Sequence, residues 1–85
     1  MTSTDRVINW LNRFIDDMSE PHRYYHVLSS SASGMYKYAS IYDDTNDKRV
    51  LTFRGRTYSD LADNIAYAWE AHNFMNEEAG NGVHG

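Results

Sequence analysis

Apolar residues recur at helical spacing near the start of the chain: Val7, Ile8, Leu11, Phe14, Ile15 and Met18 share one side, while Asp5, Asn9, Asn12 and Asp16 take the other. This predicts an amphipathic helix over 4–18, with Trp10 at the edge of its stripe. Ser3 or Thr4 can cap its start, and Pro21, which has no amide hydrogen, forbids continuation past Glu20. The pattern then changes period. RYYHVLS from Arg23, MYKYASIY from Met35 and RVLTFR from Arg49 are rich in aromatic and β-branched residues, and the second alternates regularly. These three runs predict strands, separated by the SSSASG break and by DDTNDK, a turn-forming cluster. Short connections favour an antiparallel meander.

Gly55 ends the third strand, and Thr57 with Asp60 forms a capping-box-like start for a helix from about Tyr58 to Glu77. Its apolar stripe is Tyr58, Leu61, Ile65, Ala68, Trp69, His72 and Met75. The expected fold class is α+β: helix, three-stranded antiparallel sheet, helix, with both helices on one sheet face. Residues 1–78 form a single domain in this reading, and 79–85, with three glycines, form a flexible C-terminal tail. Ala39 and Ile41 fall on one side of the second strand, with Tyr36, Tyr38 and Tyr42 on the other. The tyrosine side is therefore the expected open face, while Leu51 and Phe53 of the third strand point to the core.

Length and composition narrow this picture. Eighty-five residues support one core, and 41% hydrophobic residues are enough to form it. The chain has no cysteine, which removes disulfides, thiolate metal ligands and a thiol nucleophile, and fits a reducing compartment. The first residues lack a secretory pattern and no run is long enough to span a membrane, so a cytoplasmic protein is expected. Net charge is −4, distributed in blocks: Lys48, Arg49, Arg54 and Arg56 form a basic stretch, and Asp60, Asp63, Glu70, Glu77 and Glu78 follow with no lysine or arginine among them.

Catalytic and metal-binding patterns are weak. Asp43, Asp44, Asn46 and Asp47 lack the glycine and the twelfth-position glutamate of an EF-hand loop, so a solvated turn is the simpler reading. His22 and His26 are four residues apart on an extended segment, roughly 13 Å, too far to share a metal. His72 lies on a core stripe and His84 in the tail, neither in ligand spacing. The serines at 29–33 occur without a G-x-S-x-G elbow or a phosphate-cradling loop. No cofactor, no metal and no enzymatic activity are expected. The strand-two tyrosines with Arg23, Lys37 and Arg54 resemble a stacking platform for single-stranded nucleic acid, but the net negative charge opposes the phosphate term, so no direct nucleic-acid binding is expected.

The last helix carries a second aromatic face: Tyr67, Ala71 and Phe74 lie beside Asp60, Asp63 and Glu70, opposite the core stripe. Carboxylates spaced along a helix and a loop can occupy a channel built for phosphates. A small acidic chain with this element order and charge layout resembles the phage-encoded anti-CRISPR proteins that block the Cas9 effector. That resemblance, which is one of architecture and charge alone, implies a non-enzymatic inhibitor that covers the effector's DNA-binding site with acidic residues. The carriers it implies are Asp43, Asp44 and Asp47 in the turn, and Asp60, Asp63, Glu70, Glu77 and Glu78 on the last helix. The expected partner is a protein, and the resemblance implies a Cas effector complex. The basic block at 48–56 departs from a uniformly acidic mimic. An interaction module docking an enzyme through Tyr67, Phe74 and the tyrosine face is the alternative, with a small nucleic-acid binder as a third reading.

Overall fold

In the computed structural model, residues 1–18 and 22–84 are described, with side chains of the last helix described through His72. The first helix, α1 (Ser3–Met18), buries Val7, Leu11 and Phe14, the centre of the expected stripe. Its cap is Thr2, rather than Ser3 or Thr4. Thr2 Oγ1 accepts from Asp5 N at 3.1 Å, and Asp5 Oδ2 accepts from Thr2 N at 3.2 Å. A reciprocal cap needs an acceptor three residues on; Thr2 finds Asp5 there, whereas Ser3 and Thr4 would find Arg6 and Val7. The Thr2 backbone donor also holds the Asp5 carboxyl below its ordinary range.

Strands β1 (Tyr24–Ser30), β2 (Lys37–Asp43) and β3 (Lys48–Gly55) form an antiparallel meander with β2 in the middle. The first connection is closed by Ser31 N donating to Tyr36 O and Gly34 N to Ser31 O, with Gly34 at φ +74°, where a side chain would be strained. In the second connection Asp43 and Asn46 bond their own downstream backbone: Asp43 Oδ1 accepts from Thr45 N at 2.8 Å, and Asn46 Oδ1 from Lys48 N at 3.0 Å. These bonds explain why DDTNDK turns.

The second helix, α2 (Tyr58–His84), begins as expected, with Thr57 Oγ1 accepting from Asp60 N at 3.0 Å. It continues past Glu77 through the segment expected as a tail. Leu61, Ala62 and Ile65 are fully buried, Ala62 being an addition to the expected stripe; Met75 lies outside the described side chains. The core joins Val7, Leu11 and Phe14 of α1, Ala39 and Ile41 of β2, and the three α2 residues. Phe14 links the layers, with Phe53 at 5.5 Å and Trp69 edge-on at 5.1 Å. Both helices thus cover the Ala39/Ile41 face and leave the other open, as the α+β reading expects. Among the described residues, no helix is long and apolar enough to cross a membrane.

Candidate binding surfaces

The acidic residues singled out in the sequence divide into two groups. Asp43, Asp44 and Asp47 occupy the β2–β3 turn, where Asp43 pairs with Lys48; Asp60 and Asp63 follow the opposite end of β3, where Gly55 pairs with Lys37. These ends are six residue steps apart along β2, about 20 Å at strand rise. The fold therefore does not gather the carboxylates into one patch. Several are also engaged locally. Asp43 serves the turn, Asp47 Oδ1 accepts from Tyr25 Oη at 2.8 Å, and Asp63 pairs with Arg6 at 2.8 Å. Asp60 sits in the first turn of α2, where a carboxylate is favoured by the helix dipole.

Beside that turn lies an open groove of about 550 Å³ lined by Tyr36, Arg54, Arg56, Asp60, Asp63 and Asn64. Asn64 Nδ2 donates to Arg54 O at 2.6 Å, tying α2 to β3. Two acids and two arginines thus line the groove together. On the outer side of α2, Tyr67 is 76% exposed and Glu70 is also exposed. Phe74, Glu77 and Glu78 lie outside the described side chains. His72 bonds Asp17 of α1 at 2.8 Å, joining the two helices. Among the described residues, no three histidine or acidic side chains lie together as a metal site.

The open sheet face brings more residues together. Cross-strand partners share a face, so Tyr25 stands with Tyr42, Val27 with Ser40 and Thr52, and Ser29 with Tyr38 and Arg54. The Tyr25 and Tyr42 rings stack at 5.4 Å with planes 13° apart, and the Arg54 guanidinium lies 4.8 Å from the centre of the Tyr36 ring. Ser40 and Thr52 share a hydrogen bond at 3.3 Å between them. Val27 and Val50 are 40% and 43% exposed. The bond to Asp47 raises the Tyr25 phenol above its ordinary value, because a phenolate could not donate it.

Sequence reasoning assigned two bases here incorrectly or not at all. Lys37 belongs to the helix side: Nζ donates to Ser30 Oγ at 3.2 Å and lies 5.5 Å from the centre of the Tyr58 ring of α2. Arg49 belongs to the open face. Strict alternation would align it with Leu51 and Phe53, but the register shifts beside Ile41, so that Leu51 pairs with Ile41 and Arg49 with Tyr42, leaving Val50 as the extra residue. The available signal was a charge at a position that alternation would direct toward the core. Arg23 precedes β1 and is exposed, its carbonyl accepting from Asp44 N at 2.8 Å.

No family model, curated protein or solved structure matches this chain.

Proposed function

We propose that the chain is a non-enzymatic protein-binding module whose working surface is the open sheet face. The observation that carries this reading is the juxtaposition on one uncovered face of four tyrosines, the half-exposed Val27 and two arginines. Tyrosine and arginine dominate the energetic centres of protein interfaces, because each offers a large contact area together with directional polar atoms. A protein partner is favoured over single-stranded nucleic acid by the state of the rings. Two near-parallel rings 5.4 Å apart cannot lie side by side in one plane, so Tyr25 and Tyr42 each give one π-face to the other; Arg54 covers a face of Tyr36. One face of each of these three rings is thus engaged within the protein, which reduces the ring surface offered to a stacked base.

A second reading, in which carboxylates of α2 block a nucleic-acid-processing effector of the Cas9 type, is favoured by one observation: Tyr67, 76% exposed, stands between Asp63 and Glu70 on the outer side of the helix. The two readings differ in where a partner touches. A photo-crosslinking residue placed at Val27 or at Tyr67 in the full chain, irradiated in the cell that makes it, separates them. The open-face reading predicts a discrete crosslinked protein from position 27 and none from position 67; the opposite pattern would transfer the proposal to the acidic helix.

A further inference from the structure

Resting on the open-face reading, we propose that Arg49 and Arg54 form a two-point clamp for an extended acidic protein segment that presents two carboxylates on either side of an apolar residue. The bulge is what builds this arrangement. Residues five apart on a regular strand face opposite ways. Here the extra residue at Val50 lets Arg49 pair with Tyr42 and Arg54 with Tyr38, and these two tyrosines, four apart on β2, share one face. Both arginines therefore stand on the open face, their pairing positions roughly 13 Å apart at strand rise.

The cations are available. Both are exposed, and among the described residues neither has a carboxylate within ion-pair distance. Of the acids nearest this face, Asp47 accepts from the Tyr25 hydroxyl, Asp63 pairs with Arg6 and Asp43 accepts from Thr45 N, while Asp44 in the turn and Asp60 in the groove beside Arg54 are exposed and pair with neither arginine. The Arg54 guanidinium lies over the Tyr36 ring, and its planar fork of N–H groups can bind a carboxylate in bidentate fashion. On β3 Thr52 lies between the two cations, with Ser40 beside it on β2 and bonded to it, and the row ends in the half-exposed Val27 on β1, the apolar side chain that the middle residue of a bound segment can meet.

The spacing specifies the ligand. Along an extended segment, residues i and i+4 fall on one side at the same rise of roughly 13 Å, with i+2 between them. A Glu-x-Val-x-Glu segment thus matches the clamp at both ends and in the middle. The charge asymmetry agrees: in a chain of net charge −4, this face holds two unpaired arginines. A polyphosphate strand would bring a continuous row of charge to the same two cations and so meet more repulsion from the molecule's carboxylates, felt over about 8–10 Å at physiological salt, than a segment carrying two acids.

The test is a titration of the ¹⁵N-labelled full chain with the capped pentapeptide Glu-Thr-Val-Thr-Glu at millimolar concentration, followed by amide shifts. Controls are the peptide with both glutamates changed to glutamine, one with a residue removed between them, and a short oligothymidylate. The clamp predicts saturable shifts at Val27, Ser40 and Thr52 with the first peptide, weakened about tenfold or more by Arg49→Ala or Arg54→Ala and by either control peptide. Arg54→Lys, which keeps the charge but loses the fork, should fall between wild type and Arg54→Ala. Absence of open-face shifts, equal shifts with the glutamine peptide, or tighter binding of the oligothymidylate at this face would overturn the proposal. Crosslinking at position 27 that persists in the Arg49→Ala/Arg54→Ala double variant would remove the clamp while leaving the open face as the working surface.

Discussion

Asp47 stands at φ 54°, a left-handed conformation that aspartate tolerates better than most residues, and from there its carboxylate receives the Tyr25 hydroxyl. One turn residue thereby reaches across the sheet to anchor a ring that stacks on Tyr42. The titration consequence has a definite sign. The phenol is raised above 10.0 in the folded chain, first by its hydrogen bond to Asp47. Its contribution to stability is therefore present below pH 10.0 and is lost as pH rises through the folded value. Phenolate absorbance followed against pH should contain a component titrating above that value, and Asp47→Ala should bring it down. A titration unchanged by the substitution would show that the bond does not persist in solution. The Arg6–Asp63 pair is a weaker feature, since both side chains are substantially exposed, at 39% and 65%. Exposed pairs of this kind stabilise by only about 0.2–1 kcal/mol. Asp63 therefore remains in competition between a structural partner and any external one.

Gly55 joins two elements at a distance no side chain permits. A Cβ there would lie 2.5 Å from Leu61 N and 2.8 Å from Leu61 Cα, both backbone atoms at the start of α2. Gly55→Ala must therefore push helix from strand, and we expect a loss of about 1–3 kcal/mol from overpacking. In a domain of this size that corresponds to a fall in melting temperature of roughly 4–8 °C per kcal/mol, measurable by circular dichroism. An unchanged melt would contradict the close approach of α2 to β3. At this scale the sequence was informative wherever periodicity ran unbroken. Val7, Leu11 and Phe14 mark α1, Ala39 and Ile41 mark the inner face of β2, and Thr57 marks the start of α2. What it concealed were departures from period. A bulge inserts one residue and changes the face of everything before it, so Arg49 was legible only as a misplaced charge. The Thr2 cap depended on which hydroxyl had an acceptor three residues on. The tyrosine face was legible from alternation, but the pairing of Tyr25 with Tyr42 required the register of two strands.

Over the whole molecule, charge is polarised by topology rather than by composition. Antiparallel pairing carries the turn carboxylates to one end of the sheet and the start of α2 to the other, while alternation turns Arg54 outward and the bulge turns Arg49 outward with it. Carboxylates that look like one acidic surface along the chain are thus divided in space, and the surface with the most residues in register is the open sheet face. The central claim is that this face, and not the outer side of α2, engages a partner. The most direct measurement compares the partner captured at position 27 for its affinity to Val27→Glu, to Tyr67→Ala and to wild type, with melting temperatures as a control for folding. An acid among the tyrosines should lower affinity by at least about tenfold, through loss of apolar contact and a buried unpaired charge. Tyr67→Ala should remain near wild type. Undiminished binding by Val27→Glu, together with loss of binding by Tyr67→Ala, would contradict the account.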